Sequence, residues 1–496
     1  MIILRPDVCW QEKWKMSLAV WTPEDIAAAT AGDVVCGKRP AGFSGIGIDS
    51  RQMGENQIFV AISGSRHDGH DFLEQAVSAG TRCIVCQKDR LKTLPLSKWT
   101  ALGVACIAVN DTIRALGDMA AYLRGLTNIP LVAVTGSNGK TSTKELVAAV
   151  LARKYNVLAT AGNFNNEIGM PLTLLKLKTE HEAVVLELGM NHPGEMHRLG
   201  EICKPDIGVI TNIAAAHLEG LGSVEGVATA KAELLSHIRS GGTAVLNGDD
   251  AYGAWLASRT DKQVVFFGTS ELAQVRASEI RTFKEGIGFN LMLPDAQVFV
   301  QMPVCWEFMI RNALAAAAVG WLLGIGPEQI AAGLAKFRPV SGRMAVYKTA
   351  SGACIVDDTY NANPGSMENA IRSLASIDGC SRAILVAGDM LELGDDAARL
   401  HEETGRLAAG SGVSRIYLTG NFAARVAAGA RAGGMNGGNI FVGTKNDIIR
   451  DLSRQLQAGD WVLVKGSRST GMEEIVAGLT AGGSTHGPGL QPEAEG

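Results

Sequence analysis

Gly136-Ser137-Asn138-Gly139-Lys140-Thr141-Ser142 is the densest concentration of phosphate chemistry in the chain. It follows a buried-strand pattern, Leu131-Val132-Ala133-Val134-Thr135, and a helix pattern follows it. Glycines let backbone N–H groups approach an anion, a helix N-terminus adds positive potential, and a lysine adds a point charge. The hydroxyl of Thr141 or Ser142 stands where such loops ligate Mg²⁺. The spacing GxxxxGK[ST] is not met, because Val134 occupies its first glycine position and only GxxGKT remains. With these flanks the loop reads as a nucleotide phosphate site rather than a bare turn.

Two further residues end strand-like runs and so face the same crevice of a parallel sheet. Glu187 closes VVLELG and His217 follows VITNIAAAH. A carboxylate and an imidazole there suit a Mg²⁺. The plainer alternative is a loop cap and a satisfied polar residue. Lys231 sits in VATAKAELL, among small and apolar neighbours. Solvated, it is an ordinary surface lysine; desolvated, its pKa falls and it does chemistry as a neutral amine.

The elements that must position these residues fall into three blocks. Residues 16–128 hold the strand patterns QIFVAIS, TRCIVCQ and VACIAV, with a helix start at Thr22-Pro23-Glu24-Asp25. Residues 129–338 alternate strand and helix patterns, then carry a β-rich stretch near 263–304 and a helix over Arg311–Leu323. Residues 339–480 alternate again, through ACIVDDT, RAILVAGD, RIYLTG, NIFVG and WVLVKGS. The fold class expected is α/β: a small N-terminal domain, a central P-loop ATPase-like parallel-sheet domain and a Rossmann-like C-terminal domain. The tail, 481–496, is rich in Gly and poor in apolar residues and is expected to be disordered. Residues 1–15 fit no element, and Met16 is an alternative start.

Composition narrows the classes. At 496 residues the chain suggests about three domains. Its 46% hydrophobic and 19% charged residues exclude general disorder. A net charge of −4 argues against a nucleic-acid protein held by bulk electrostatics. The uncharged run Ala313–Gly326 is shorter than the roughly 18–20 residues a membrane span needs. The nine cysteines, Cys83-Ile-Val-Cys86 among them, read as reduced core thiols of a cytoplasmic protein. His67-Asp68-Gly69-His70-Asp71 reads as a loop with a helix cap rather than a metal site. Gly388-Asp389-Met390 and Gly394-Asp395 serve either an acceptor pocket or turn chemistry.

Taken together, TGSNGKTST, GNFNNEIGMPLTLL, ELGMNHPGEM, TNIAAAHLEGLGS with AKAEL, SGRM, DDTYNANPGSM, GDMLELG and KGSRSTGME resemble the Mur ligases over about Trp21 to Leu479. These are ATP-dependent amide-bond enzymes of peptidoglycan synthesis and cell wall biogenesis. IDSR and FVAISGSRHDGHDF resemble the region that grips the UDP-sugar end. The absence of DNPR points away from the diaminopimelate- or lysine-adding branch and towards addition of D-alanyl-D-alanine to UDP-N-acetylmuramoyl-tripeptide.

The resemblance implies ATP and two Mg²⁺ ions, with roles residue by residue. Gly136, Ser137, Asn138, Gly139 and Lys140 would hold the ATP phosphates, and Thr141, with Ser142, the first Mg²⁺. Glu187, His217 and Lys231, as a carbamate, would ligate the second. Arg343 would reach the phosphates from the C-terminal domain, Asp358 the ribose and Asn312 the adenine side; Tyr360, Asn361 and Asn363 share the Asp358 loop. Ser50 and Arg51 are candidates for the UDP end, and Asn163, Asn165 and Asn166 for the muramoyl-peptide. Lys140, Lys231, His217 and Arg343 form the expected catalytic set. Because Arg343 and Asp358 belong to a different domain from Lys140, ATP is expected to draw two domains together. A monomer without nucleic-acid partners is expected.

One departure stands out. Where the family commonly reads G-x-H-N-x-x-N, this chain has Trp306-Glu307-Phe308-Met309-Ile310-Arg311-Asn312. Only Asn312 is kept, and Phe308 could stack on the base instead. Two other readings remain: a ligase of the same type adding another amino acid, or glutamate to folate, and a nucleotide-binding module that has lost catalysis.

Overall fold

The computed structural model describes residues 20–37, 42–64, 67–283, 286–481 and 485–486. The segment before Val20 and most of the tail therefore lie outside the described residues; from that tail Thr485–His486 pairs antiparallel with Tyr347 and Lys348.

Three sheets follow one another along the chain. The first has five strands in the spatial order Asp33–Cys36, Ala105–Val109, Cys83–Gln87, Ile58–Val60 and Ile46–Gly47. Only Asp33–Cys36 runs antiparallel to its neighbour. Thr22 caps the first helix through a capping box with Asp25, as the sequence pattern predicts. Cys83 and Cys86 are buried on their strand, with Cys86 Sγ 3.6 Å from Cys106 Sγ, and burial pushes the Cys83 thiol pKa well up. They are core thiols. In the HDGHD segment Asp68 accepts from the backbone N–H of His70 at 3.0 Å and from Arg90 at 2.7 Å. Against partial burial, hydrogen bonds from the His70 backbone and side chain and from Ser63 hold its pKa at about 2, and with its side chain on the His70 N–H this segment is a cap.

The second sheet positions the chemistry. From one edge its order is Val157–Ala159, Ala183–Glu187, Leu131–Thr135, Ile207–Ile210, Thr243–Asn247 and Gln263–Gly268, all parallel. Val275–Phe283 joins in parallel, and Gly286–Met292 and Gln297–Met302 extend the sheet antiparallel. Leu131–Thr135 is buried at every position, which is why it reads as a continuous apolar run rather than an alternation. It lies where the strand order reverses, between the earlier-placed Ala183–Glu187 and Ile207–Ile210. A crevice therefore opens at the C-terminal ends of these three strands. The helix Lys140–Leu151 starts there and packs on the helix Met309–Leu322, the latter beginning two residues earlier than the pattern suggests.

The third sheet has the parallel order Ile440–Val442, Arg415–Leu418, Arg382–Ala387, Asp460–Lys465 and Cys354–Asp358, with Ala345–Lys348 antiparallel beyond. Asp389, at the end of one strand, accepts from the N–H groups of Asn421 and Phe422 at 2.8 and 2.9 Å. Its carboxylate thus does turn chemistry.

The helix Thr112–Gly125 carries the chain from the first sheet to the second. Near its end Arg124, 1% exposed, is seated between the two. At the other junction Trp306 donates to the Met344 carbonyl at 3.2 Å, and its ring lies edge-on to Trp461, 6.2 Å between centroids.

Candidate active site

The phosphate loop needs its two glycines. Gly136 has φ of 147°, and a Cβ there would lie 1.9 Å from Thr211 Oγ1. Gly139 has φ of 78°, and a Cβ would lie 2.6 Å from Asn312 Oδ1. Asn312 is therefore packed directly on the loop, as the sequence reading requires of a residue near the nucleotide. Lys140 curls back, donating to the carbonyls of Gly136 at 2.8 Å and Ser137 at 3.3 Å. The strand end after Ile210 braces the loop. Asn212 accepts from the N–H groups of Ser137, through its carbonyl at 2.9 Å, and of Asn138, through its side chain at 3.0 Å. Two amides expected to face phosphate are thus engaged by Asn212, which the sequence reading missed.

Beside this loop the charged groups are held away from their ordinary states. Burial, together with the nearby Arg343, lowers the Lys140 pKa to about 8 against the opposing pull of Glu187. Lys231 is 1% exposed on the helix Val224–Ser236. Burial first, and Lys140 second, push its pKa well below the usual lysine value. Its ammonium has no hydrogen bond or ion pair among the described residues. Burial thus disfavours the charged form, which its small and apolar neighbours allow.

Glu187 receives a hydrogen bond from Asn165 Nδ2 on Oε1 at 2.8 Å, while its buried Oε2 has no partner. The buried Thr141 Oγ1 is likewise unpartnered. Orphaned oxygens cost free energy unless something binds them. Both are hard oxygen donors of the kind Mg²⁺ takes. Among the described residues no group of three or more His, Cys, Asp or Glu is placed to hold a metal. His217 instead accepts or donates at Nδ1 with Glu392 Oε2, 2.7 Å away on the C-terminal side. The two oxygens are of the kind that suits Mg²⁺.

A cavity of about 340 Å³ gathers these groups between the second and third sheets. It is lined by Ser137, Asn138, Gly139, Lys140, Ser142, Asn165, Asn166, Glu187, His217, Asn312, Arg343 and Asp358, all anticipated. Gly136, Thr141 and Lys231 are not among the residues that line it. Phe308 and Met309 line the same cavity, so the departure from the family pattern falls within this site. The Arg343 guanidinium stacks 4.0 Å from the Tyr360 ring centroid. Asp358 accepts from the buried Lys465 at 2.5 Å, and Asn363 donates to Asn138 across the domains at 2.8 Å. Lys465 and Glu392 lie in the motifs KGSRSTGME and GDMLELG, but neither was singled out; cross-strand register and domain packing bring them here. A second cavity, about 280 Å³, adjoins the first and shares Lys140 and His217 with it.

The remaining candidates are elsewhere. Ser50 is buried and donates to Gln75 at 3.0 Å, while Arg51 is exposed and paired with Asp49 at 2.9 Å. Asn163 is exposed, outside both cavities.

Comparison with known proteins matches the Mur ligase family catalytic domain at residues 42–124, the Mur ligase middle domain at 134–320 and the Mur ligase glutamate ligase domain at 342–468. The chain is 36% identical over 436 residues to the UDP-N-acetylmuramoyl-tripeptide–D-alanyl-D-alanine ligase of Bacillus subtilis, covering 88% of this chain and 93% of the relative. It superposes on the crystal structure of MurF from Acinetobacter baumannii with a TM-score of 0.84 and 32% identity, over 93% and 99% of the two chains. The MurF ligase of Thermotoga maritima in complex with ADP gives a TM-score of 0.77 at 28% identity, over 88% and 97%.

Proposed function

The chain belongs to the Mur ligase family, and from that premise we propose that it is the ATP-dependent ligase that joins D-alanyl-D-alanine to UDP-N-acetylmuramoyl-tripeptide. The observation that carries this reading is the convergence, in one cavity between two domains, of the phosphate loop, Glu187, His217 and Arg343. A carboxylate is a poor electrophile. Transfer of the ATP γ-phosphoryl group converts it to an acyl phosphate and releases ADP. The dipeptide amine then attacks the acyl carbon, and the tetrahedral intermediate collapses to the amide and inorganic phosphate.

In this reading Lys140 and Arg343 hold the polyphosphate from opposite domains, and Gly136 to Ser142 form its cradle. Asn312 and Asp358 hold the adenine and ribose sides, with Phe308 on the base. Lys231, as the neutral amine that burial favours, adds CO₂ to become a carbamate and loses a proton. Thr141, Glu187, His217 and that carbamate would hold Mg²⁺, which when bound offsets the repulsion between the substrate carboxylate and ATP. Asn165 fixes the rotamer of Glu187, and with Asn163 and Asn166 faces the muramoyl-peptide. Ser50 and Arg51 serve the UDP end. Residues 16–128, 129–338 and 339–480 divide the work into UDP-sugar binding, ATP binding and closure, in a cytoplasmic monomer.

Phosphate release from ATP in the presence of UDP-N-acetylmuramoyl-tripeptide tests the assignment. Release is expected only when D-alanyl-D-alanine is added. Release with a different amino acid alone, or ADP binding without turnover, would overturn it.

A further inference from the structure

Two orphaned oxygens sit on different elements, Thr141 on the helix Lys140–Leu151 and Glu187 at the end of the strand Ala183–Glu187. A buried cation ties these elements together. Lys144 follows Thr141 by three residues, so both lie on one face of that helix. Its side chain is 1% exposed. Its ammonium donates to the Thr160 carbonyl at 2.7 Å and to the Glu145 carboxylate. Taking an ammonium out of water is costly, and an apolar side chain of similar size would fill the same space without that cost. The role of Lys144 therefore lies in what it reaches across the fold.

Thr160 follows the edge strand Val157–Ala159 and is 2% exposed. Its N–H donates to the Val185 carbonyl at 3.0 Å, and its carbonyl accepts from Lys144. Its hydroxyl oxygen accepts from the Glu187 N–H at 3.0 Å. Five residues on, Asn165 donates to Glu187 Oε1 at 2.8 Å, and its carbonyl accepts from the Gly189 N–H at 2.8 Å. A Cβ on Gly189 would lie 2.9 Å from the Asn165 side chain, so the two chains approach closely. The segment 160–165 thus holds both the backbone and the side chain of Glu187. Lys144 clamps the start of that segment to the helix that carries Thr141. Neither Lys144 nor Thr160 lines either cavity.

Resting on the ligase reading above, in which Glu187 would hold Mg²⁺, we propose that Lys144 is a positioning residue. Through Thr160 it sets where the free Oε2 of Glu187 stands relative to Thr141. Groups one step behind a metal ligand fix its orientation, and losing one commonly costs about 10–100-fold in metal affinity.

A titration of the full-length protein, saturated with β,γ-methylene-ATP, tests this. Mn²⁺ is the probe, followed by the electron paramagnetic resonance of the free ion. Glu187→Gln identifies the ion concerned by the binding it removes. For that ion the affinity is expected to fall about 30-fold in Lys144→Met and in Thr160→Val, with nucleotide affinity in the absence of metal within about twofold of wild type. That unchanged nucleotide affinity shows that the variants are folded. Thr160→Ser keeps the hydroxyl and should bind Mn²⁺ as wild type does. Because Lys144 acts through Thr160, combining Lys144→Met with Thr160→Val should weaken binding no further than either alone, whereas independent effects would multiply to about 10³-fold. Such multiplication, an unmoved Mn²⁺ affinity in the single variants, or metal and nucleotide affinity falling together would overturn the inference and leave the ligase assignment standing. If Glu187→Gln removed no Mn²⁺, the metal reading of Glu187 would fall, and this inference with it.

Discussion

At the junction of the first and second sheets, Arg124 donates all five of its N–H groups. They go to the carbonyls of Cys203, Ile129 and Lys204, to Thr127 Oγ1, and to Asp206 at 2.7 Å. At the cleft between the second and third sheets, Thr141 Oγ1 and Glu187 Oε2 are buried with no partner, and two lysines have depressed pKa values. Both regions bury charge between domains. One satisfies it internally and the other leaves it waiting. Orphaned atoms also occur singly elsewhere, at Thr81 and Arg415 for example, but among the described residues only at the cleft do they accompany perturbed lysines. A satisfied buried charge fixes two domains; an unsatisfied one marks where a ligand completes the structure.

Substitutions in the two regions should therefore move stability in opposite directions. The largest effect is expected at Lys231. Its folded-state pKa lies below the unfolded value, so between those values the unfolded chain binds more protons. Lys231 thus opposes folding at neutral pH, and less so as pH rises. Lys231→Ala should lose about 10³-fold in turnover, be rescued in part by short carboxylic acids, and unfold no more easily than wild type. Full activity, or a lower melting temperature, would break the contrast.

Arg124→Met should do the reverse. It takes the charged donor from Asp206, which keeps the Leu131 N–H, and removes the Arg124 donor from three carbonyls, at a cost of about 3 kcal/mol in unfolding free energy. The ADP affinity of the folded fraction should be unchanged. Denaturant titration with and without ADP separates the two, and a loss of affinity without loss of stability would count against the assignment of Arg124 to architecture.

These two residues also show what was legible in the sequence. The phosphate loop, most central strands and the Rossmann-like alternation were readable because burial on both faces writes continuous apolar runs. Lys231 was suspected from its small neighbours. Arg124 was not noticed, because an arginine near the end of a helix looks like a dipole partner until the chain brings Asp206 to it. The helix Thr112–Gly125, the edge strand Asp33–Cys36 and the strand Ala345–Lys348 were likewise not drawn from the pattern, their burial being partial or mixed. Asn212, Lys465 and Glu392 make their contacts with residues more than 70 positions away, and no local spacing encodes that.

A third effect follows from Lys140. Its pKa is about 8 in the free protein, so it is mostly charged below that pH. Bound polyphosphate favours the charged form, and above pH 8 binding must take up a proton. ADP affinity should therefore fall as pH rises, by roughly 20-fold between pH 7.5 and 9.5. Calorimetry in buffers of different ionisation enthalpy would show the proton uptake. An affinity flat across this range would mean that the lysine is satisfied in the free protein, as Arg124 is, and the cleft would lose part of its distinction.

The smallest effect is expected where the cleft does make a direct cross-domain contact. The His217 hydrogen bond holds the Glu392 carboxyl below the usual carboxylate range. That carboxyl is half exposed, so solvent and salt weaken the contact. Glu392→Gln keeps a hydrogen-bonding side chain and removes the charge. It should change unfolding free energy by under about 1 kcal/mol, less still at high ionic strength. Thermal unfolding of the ligand-free protein at low and high salt reads this directly. If Glu392→Gln cost as much as Arg124→Met, the cleft would be locked by its own side chains in the ligand-free protein. Closure would then not need nucleotide, and the two junctions would differ in location rather than in kind. A small, salt-sensitive cost is what a contact made to be exchanged for ligand requires. His217 can leave Glu392 when phosphate and metal arrive only if the bond it gives up is cheap.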